Sequence, residues 1–117
     1  MNKRDIIILH KIVEESAVLT QMLDGIDEAL FLANDEKMRA VCMTLVNIGE
    51  LVKNLSNDCR QKYEQIPWKD IAGLRDVTAH GYFTLRMPDI WIFAANEFSV
   101  YAEAIKEILT NEEETQI

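Results

Sequence analysis

The sequence predicts an all-α fold, an up-and-down bundle of four main helices plus one or two short ones. Three observations lead there. The chain has 117 residues, 49% of them apolar, enough to bury a core without disulfides or metal. Only four glycines and two prolines are available to break structure. Apolar residues recur at helical spacing almost throughout, and no stretch alternates as a strand would.

Asn2 is suited to cap a first helix, with Asp5 in its first turn. Leu9, Ile12, Val13, Ser16, Thr20 and Leu23 then follow helical spacing until Gly25 interrupts them. A short helix is expected around residues 26–33. Asn34 or Asp35 caps the next one, whose stripe runs from Met38 through Val41, Cys42, Leu45, Ile48, Gly49 and Val52 to Leu55. Ala40, Met43 and Val46 lie off that stripe. A helix apolar on more than one face buries two faces, either inside one subunit or against a second. Ser56, Asn57 and Asp58 end it or open a short turn of helix through Tyr63.

Pro67 fits the first position of a further helix, expected to run to about His80, with Gly81 as its stop. Pro88 starts the last helix in the same way, and Trp91, Ala94, Ala95, Phe98, Ala102, Ile105 and Leu109 give it an apolar face. The whole chain, 1–117, reads as one domain, with residues 110–117 a frayed, solvated acidic tail. Trp68 and Trp91 read as helix anchors, and Met22, Met38 and Met43 as core filler.

The net charge of -8 argues against coating nucleic acid through the overall field. The charge is uneven, however. Residues 60–86 hold Arg60, Lys62, Lys69, Arg75 and Arg86 against Glu64, Asp70 and Asp76, so an anionic substrate would bind there. Cys42 and Cys59 form no C-x-x-C pair, which suits a reducing compartment, and Cys42 falls in the apolar stripe. No run approaches the roughly 18 apolar residues of a membrane span, and no signal peptide is evident, so a cytoplasmic protein is expected. There is no metal-ligand spacing and no glycine-rich phosphate loop, and no cofactor is expected.

Chemistry, if present, gathers at Arg75, Asp76, His80 and Tyr82. A helix end favours charged His80, and Asp76, four residues earlier, is placed to orient its imidazole. His10, among apolar residues, reads as partly buried and structural. An Asp and a His four apart near a helix end are also common structural features, so these residues alone leave catalysis open. One helix would hold Arg75 and His80 at a wide angle, and a bend, or a second copy of the helix, would help them converge.

The stretch Arg75-Asp76-Val77-Thr78-Ala79-His80-Gly81-Tyr82 resembles the R-x-x-x-x-H-x-Y motif of HEPN domains, specifically the HepT-like toxins of toxin–antitoxin systems. The lead-in from Ile66 to Leu74, the helix from Ala40 to Glu50 and the start Asp89-Ile90-Trp91 resemble the family as well. The resemblance implies a homodimer with two Arg–His motifs at one cleft and metal-independent RNA cleavage. It also implies a minimal nucleotidyltransferase antitoxin that transfers AMP onto the motif tyrosine. Carried over, Arg75 and His80 are the catalytic pair, Asp76 is supporting, and Tyr82 is the AMP acceptor. Asp76 departs from the polar residue, often Asn, at that place in the family; its carboxylate would favour charged His80 but repel a phosphate. Glu50 either faces the cleft or is simply solvated. The alternative function is a non-catalytic module that docks against a nucleotidyltransferase and presents Tyr82 or a nucleotide pocket.

Overall fold

Helix α1 spans Lys3–Leu23 and begins where expected: the Asn2 side chain accepts the Asp5 N–H at 2.7 Å. The computed structural model describes residues 1–77 and 87–115. Helix α2, Glu28–Leu32, is capped by Asp27, and α3, Asp35–Lys53, by Asn34. Ser56 caps α4, Asn57–Lys62, by accepting the Cys59 N–H at 3.2 Å. Each cap satisfies an amide that the first helical turn leaves unpaired.

Helix α5 covers only Trp68–Ala72, and the chain then tightens into a 3₁₀ turn, Gly73–Val77. The continuous helix expected from Pro67 toward His80 is therefore broken. Pro67 occupies the cap position, and Gly73, a poor helix former, marks the change of pitch. The last helical run starts with α6, Met87–Ile92, widens into a π-helical turn at Phe93–Glu97, and continues as α7, Phe98–Thr115. In the wide turn the Phe98 N–H reaches back to the Phe93 carbonyl, and the two rings lie 5.8 Å apart. Among the described residues there is no strand.

Helix α3 is the centre of the bundle. It packs on α1 at one side and on α5 with the 3₁₀ turn at another, while α7 packs on α1. Leu9 and Ile12 of α1, Val41, Leu45 and Ile48 of α3, and Ile105 of α7 are buried to about 1% exposure or less. Each such side chain contributes roughly 1.5–3 kcal/mol of burial. Cys42 is buried as expected, and Trp91 packs on the core with its ring 5.4 Å from that of Phe31. Met22 and Met38 are partly buried against the core, but Met43 is 53% exposed. Ala40 is exposed too and Val46 is half-buried, so the Ala40–Met43 part of the second apolar face of α3 is uncovered among the described residues.

Two expectations about charged residues fail. The tail is not frayed at Glu112: α7 continues through it, and its carboxylate is buried. Lys62 Nζ donates to it at 2.6 Å, the Tyr63 hydroxyl donates to the same oxygen, and the Met1 amine lies 3.5 Å away. These partners hold the Glu112 carboxyl down at about 2, the Lys62 bond first among the causes. His10 is exposed, where a partly buried place was expected, and its Nε2 meets Glu113 at 2.5 Å.

Candidate functional site

The segment that presents Arg75 is anchored from below. Ile66, Trp68 and Ile71 are buried, and the Trp68 indole N–H donates to the Tyr63 carbonyl at 2.9 Å. Trp68 is thus the structural anchor the sequence suggested. Its neighbour Lys69 is exposed.

What brings the segment onto α3 is Gly49. A Cβ at this position would lie 2.5 Å from the Arg75 amide nitrogen, 3.1 Å from the Ala72 carbonyl oxygen and 3.2 Å from that of Ile71. Those atoms are backbone and cannot swing aside. Glycine inside a helix costs roughly 1 kcal/mol against alanine; here the missing side chain lets the chain from Ile71 to Arg75 lie directly on the helix.

The next residue on α3 faces the same arginine. An oxygen of Glu50 lies 3.9 Å from an Arg75 guanidinium nitrogen, with the side chains 51% and 39% exposed. At that separation the contact is electrostatic and not a hydrogen bond. Glu50 is thus solvated and stands beside Arg75. Glu50 also borders a groove of about 390 Å³ between α1 and α3, beside Lys11, Glu14, Glu15 and Asn47.

Asp76 is exposed on the turn. With three residues per turn, it stands a third of a turn from Arg75 and does not share its side. His80 and Tyr82 lie outside the described residues, as do Arg86 and Gly81.

The basic window resolves into distinct roles. Arg60 donates to the carbonyls of Val52 and Lys53 at 3.0 and 2.6 Å, closing the end of α3. Lys62 is exposed but donates to Glu112, so among the described residues Lys69 and Arg75 are the window's cations that make no hydrogen bond to protein, and of these two Arg75 is the one held against the central helix. Among the described residues no group of His, Cys, Asp and Glu is placed to hold a metal ion. No helix among them is long and apolar enough to cross a membrane.

Sequence reasoning missed the role of Gly49, although a signal was available. A glycine inside an otherwise strong helix, directly before a charged residue, needs a packing reason. It also missed Asp5, which is buried at 2% exposure. The Asp5 carboxylate accepts the Ser56 N–H at 3.0 Å and the Ser56 hydroxyl at 2.6 Å, tying α1 to the cap of α4.

The architecture is a helical bundle whose central helix holds, on a close backbone contact, the turn that presents the partly exposed Arg75. Comparison with known proteins names the family. The profile described as "Ribonuclease HepT-like" matches residues 12–108. A candidate RNase of Caldanaerobacter subterraneus subsp. tengcongensis is 36% identical over 89% of this chain and 93% of its own length. A candidate RNase of Methanocaldococcus jannaschii is 34% identical over 93% of this chain and 91% of its own. A candidate ribonuclease HepT of Thermococcus cleftensis is 36% identical over 52% of this chain and 56% of its own. No solved structure matches significantly. The chain belongs to the HepT-like ribonuclease family.

Proposed function

We propose that this protein is an endoribonuclease of the HepT-like toxin type that cleaves RNA without a metal ion. The observation that carries the reading is Arg75, held against α3 at Gly49 with its guanidinium facing solvent. RNA supplies its own nucleophile, the 2′-hydroxyl. Cleavage requires a proton removed from that hydroxyl, a proton delivered to the departing 5′-oxygen, and charge stabilised at phosphorus. Arg75 stays charged and matches phosphate oxygens with a bidentate fork. His80 moves a proton at neutral pH. Asp76 is assigned a supporting role beside the pair, and Tyr82 completes the motif.

The site is read as complete only in a homodimer. Support comes from the outer face of α3, where Ala40 and Met43 are exposed and, four and seven residues after Met43, Asn47 and Glu50 share their side. A second copy covering Ala40 and Met43 would stand beside Arg75. Control is assigned to a minimal nucleotidyltransferase antitoxin that adds AMP to the Tyr82 hydroxyl. The added phosphodiester would compete with RNA for Arg75, and the adenosine would fill the cleft.

The test is expression of the chain alone, then RNA cleavage by the purified protein in chelator. Growth should slow and RNA should be cut, and Arg75→Ala and His80→Ala should each abolish both effects with helical content unchanged. Co-expression with the cognate nucleotidyltransferase should add AMP-sized mass at Tyr82 and restore growth. If the parent, with Tyr82 shown to be unmodified, is harmless and inert on RNA, the non-catalytic docking module replaces the ribonuclease.

A further inference from the structure

We propose that Gly49 and Glu50 are positioning residues that together seat Arg75 for the cleavage reaction. The inference rests on the ribonuclease reading above and assigns a task to two residues of the central helix outside the Arg–His motif.

The two residues act on different parts of Arg75. Gly49 fixes its backbone. The Arg75 amide nitrogen lies where a Cβ would come within 2.5 Å, so the turn sits as close to α3 as a glycine permits. Glu50 biases its side chain. The carboxylate stands 3.9 Å from the guanidinium, near enough to attract and too far to consume an N–H donor. Glu50 therefore leaves the donors available for phosphate oxygens while the flexible side chain is drawn toward one direction.

A stabilising role does not account for Glu50. Both side chains are about half exposed, and such pairs contribute little to folding. A role as a simple shield against anions does not require Gly49, because a carboxylate would screen the charge whatever the backbone did. The adjacency of the two features, one setting where Arg75 begins and the other where it ends, points to orientation. Holding a reacting group in place lowers the entropy lost at the transition state, and a displacement of about 1 Å can cost on the order of 100-fold in rate.

The experiment uses the full chain with Tyr82 verified as unmodified and two readouts. The first is ¹⁵N relaxation of the Arg75 Nε–H, which needs no substrate. The second is kcat and KM on a short RNA oligonucleotide in chelator, with Arg75→Ala as the inactive reference. Glu50→Gln keeps the shape of the side chain and removes its charge. It should increase the motion of the Arg75 Nε–H and lower kcat by about three- to fivefold, the scale of a half-exposed pair, with KM nearly unchanged and thermal stability intact. Gly49→Ala should lower kcat further, toward 100-fold, with Arg75 resonances shifted and helical content retained.

An Arg75 side chain equally ordered in Glu50→Gln would overturn the seat. So would a fall in KM with kcat unchanged, because Glu50 would then be a competitor of the phosphate. Should the parent fail to cut RNA, the ribonuclease reading falls, and with it the catalytic purpose of the seat. The relaxation arm still reads directly whether Glu50 orders Arg75.

Discussion

Two carboxylate–cation pairs in this small bundle show what burial does to charge. Glu112 is buried on α7, takes hydrogen bonds from Lys62 and Tyr63, and has its carboxyl held at about 2. Glu50 is half exposed on α3 and meets Arg75 at 3.9 Å without a hydrogen bond. In the first pair the carboxylate is buried and its bonds from Lys62 and Tyr63 tie the last helix to α4 and the turn after it, although the Lys62 side chain is itself 56% exposed. In the second the arginine is guided yet left able to bind something else. A pair built for the fold spends donors on its partner; the Glu50–Arg75 pair leaves those of the arginine unspent on the carboxylate, as the proposed grip on phosphate requires.

The largest effect on stability is expected where the carboxylate is buried. Glu112→Ala removes two charge-assisted hydrogen bonds and should cost roughly 1.5–3 kcal/mol in urea unfolding, with the kcat of the folded protein retained. A loss below about 0.5 kcal/mol would erase the contrast between the two pairs. Acid should expose the same group. A carboxyl whose folded pKa is depressed contributes fully above its unfolded value and loses that contribution as pH falls through the folded one. Stability should therefore drop between pH 4.5, the ordinary value, and about 2, and Glu112→Gln should flatten that part of the profile.

A smaller effect should come from the cap that Asp5 supports. Ser56→Ala removes the hydroxyl shared by the Asp5 carboxylate and the Cys59 amide and should cost about 1 kcal/mol. Smallest is Glu50→Gln, which should change unfolding free energy by no more than about 1 kcal/mol. Equal stability losses for Glu50→Gln and Glu112→Gln would make the two pairs alike and remove the contrast between a buried and a half-exposed carboxylate.

What the sequence makes legible here is local. Asn2, Asn34 and Ser56 cap helices because each needs only an amide three residues on, and Trp68 is recognisable as an anchor from its place beside Pro67. The all-α bundle and the family were readable for the same reason, through helical spacing and contiguous motifs. What stayed hidden depends on partners distant in the chain. Asp5 finds Ser56 across 51 residues, and Lys62 finds Glu112 across 50. Neither pairing leaves a mark in spacing, so an acidic tail looked solvated when one of its glutamates was buried. The break of the expected helix at Gly73 is another long-range effect, since it goes with the approach of Ile71 to Arg75 onto Gly49. Arg75 was legible as a candidate, while the helix surface that holds it was not.

The central claim is that the solvent-facing cation at this seat grips RNA, and one measurement addresses it most directly. Cleavage of an end-labelled RNA by the purified, unmodified protein in chelator should be compared for the parent, Arg75→Ala and Glu112→Gln, each confirmed as folded. The account predicts cleavage by the parent, cleavage at an undiminished rate by Glu112→Gln, and a loss on the order of 100-fold or more for Arg75→Ala. Cleavage by Arg75→Ala at the parental rate would contradict it.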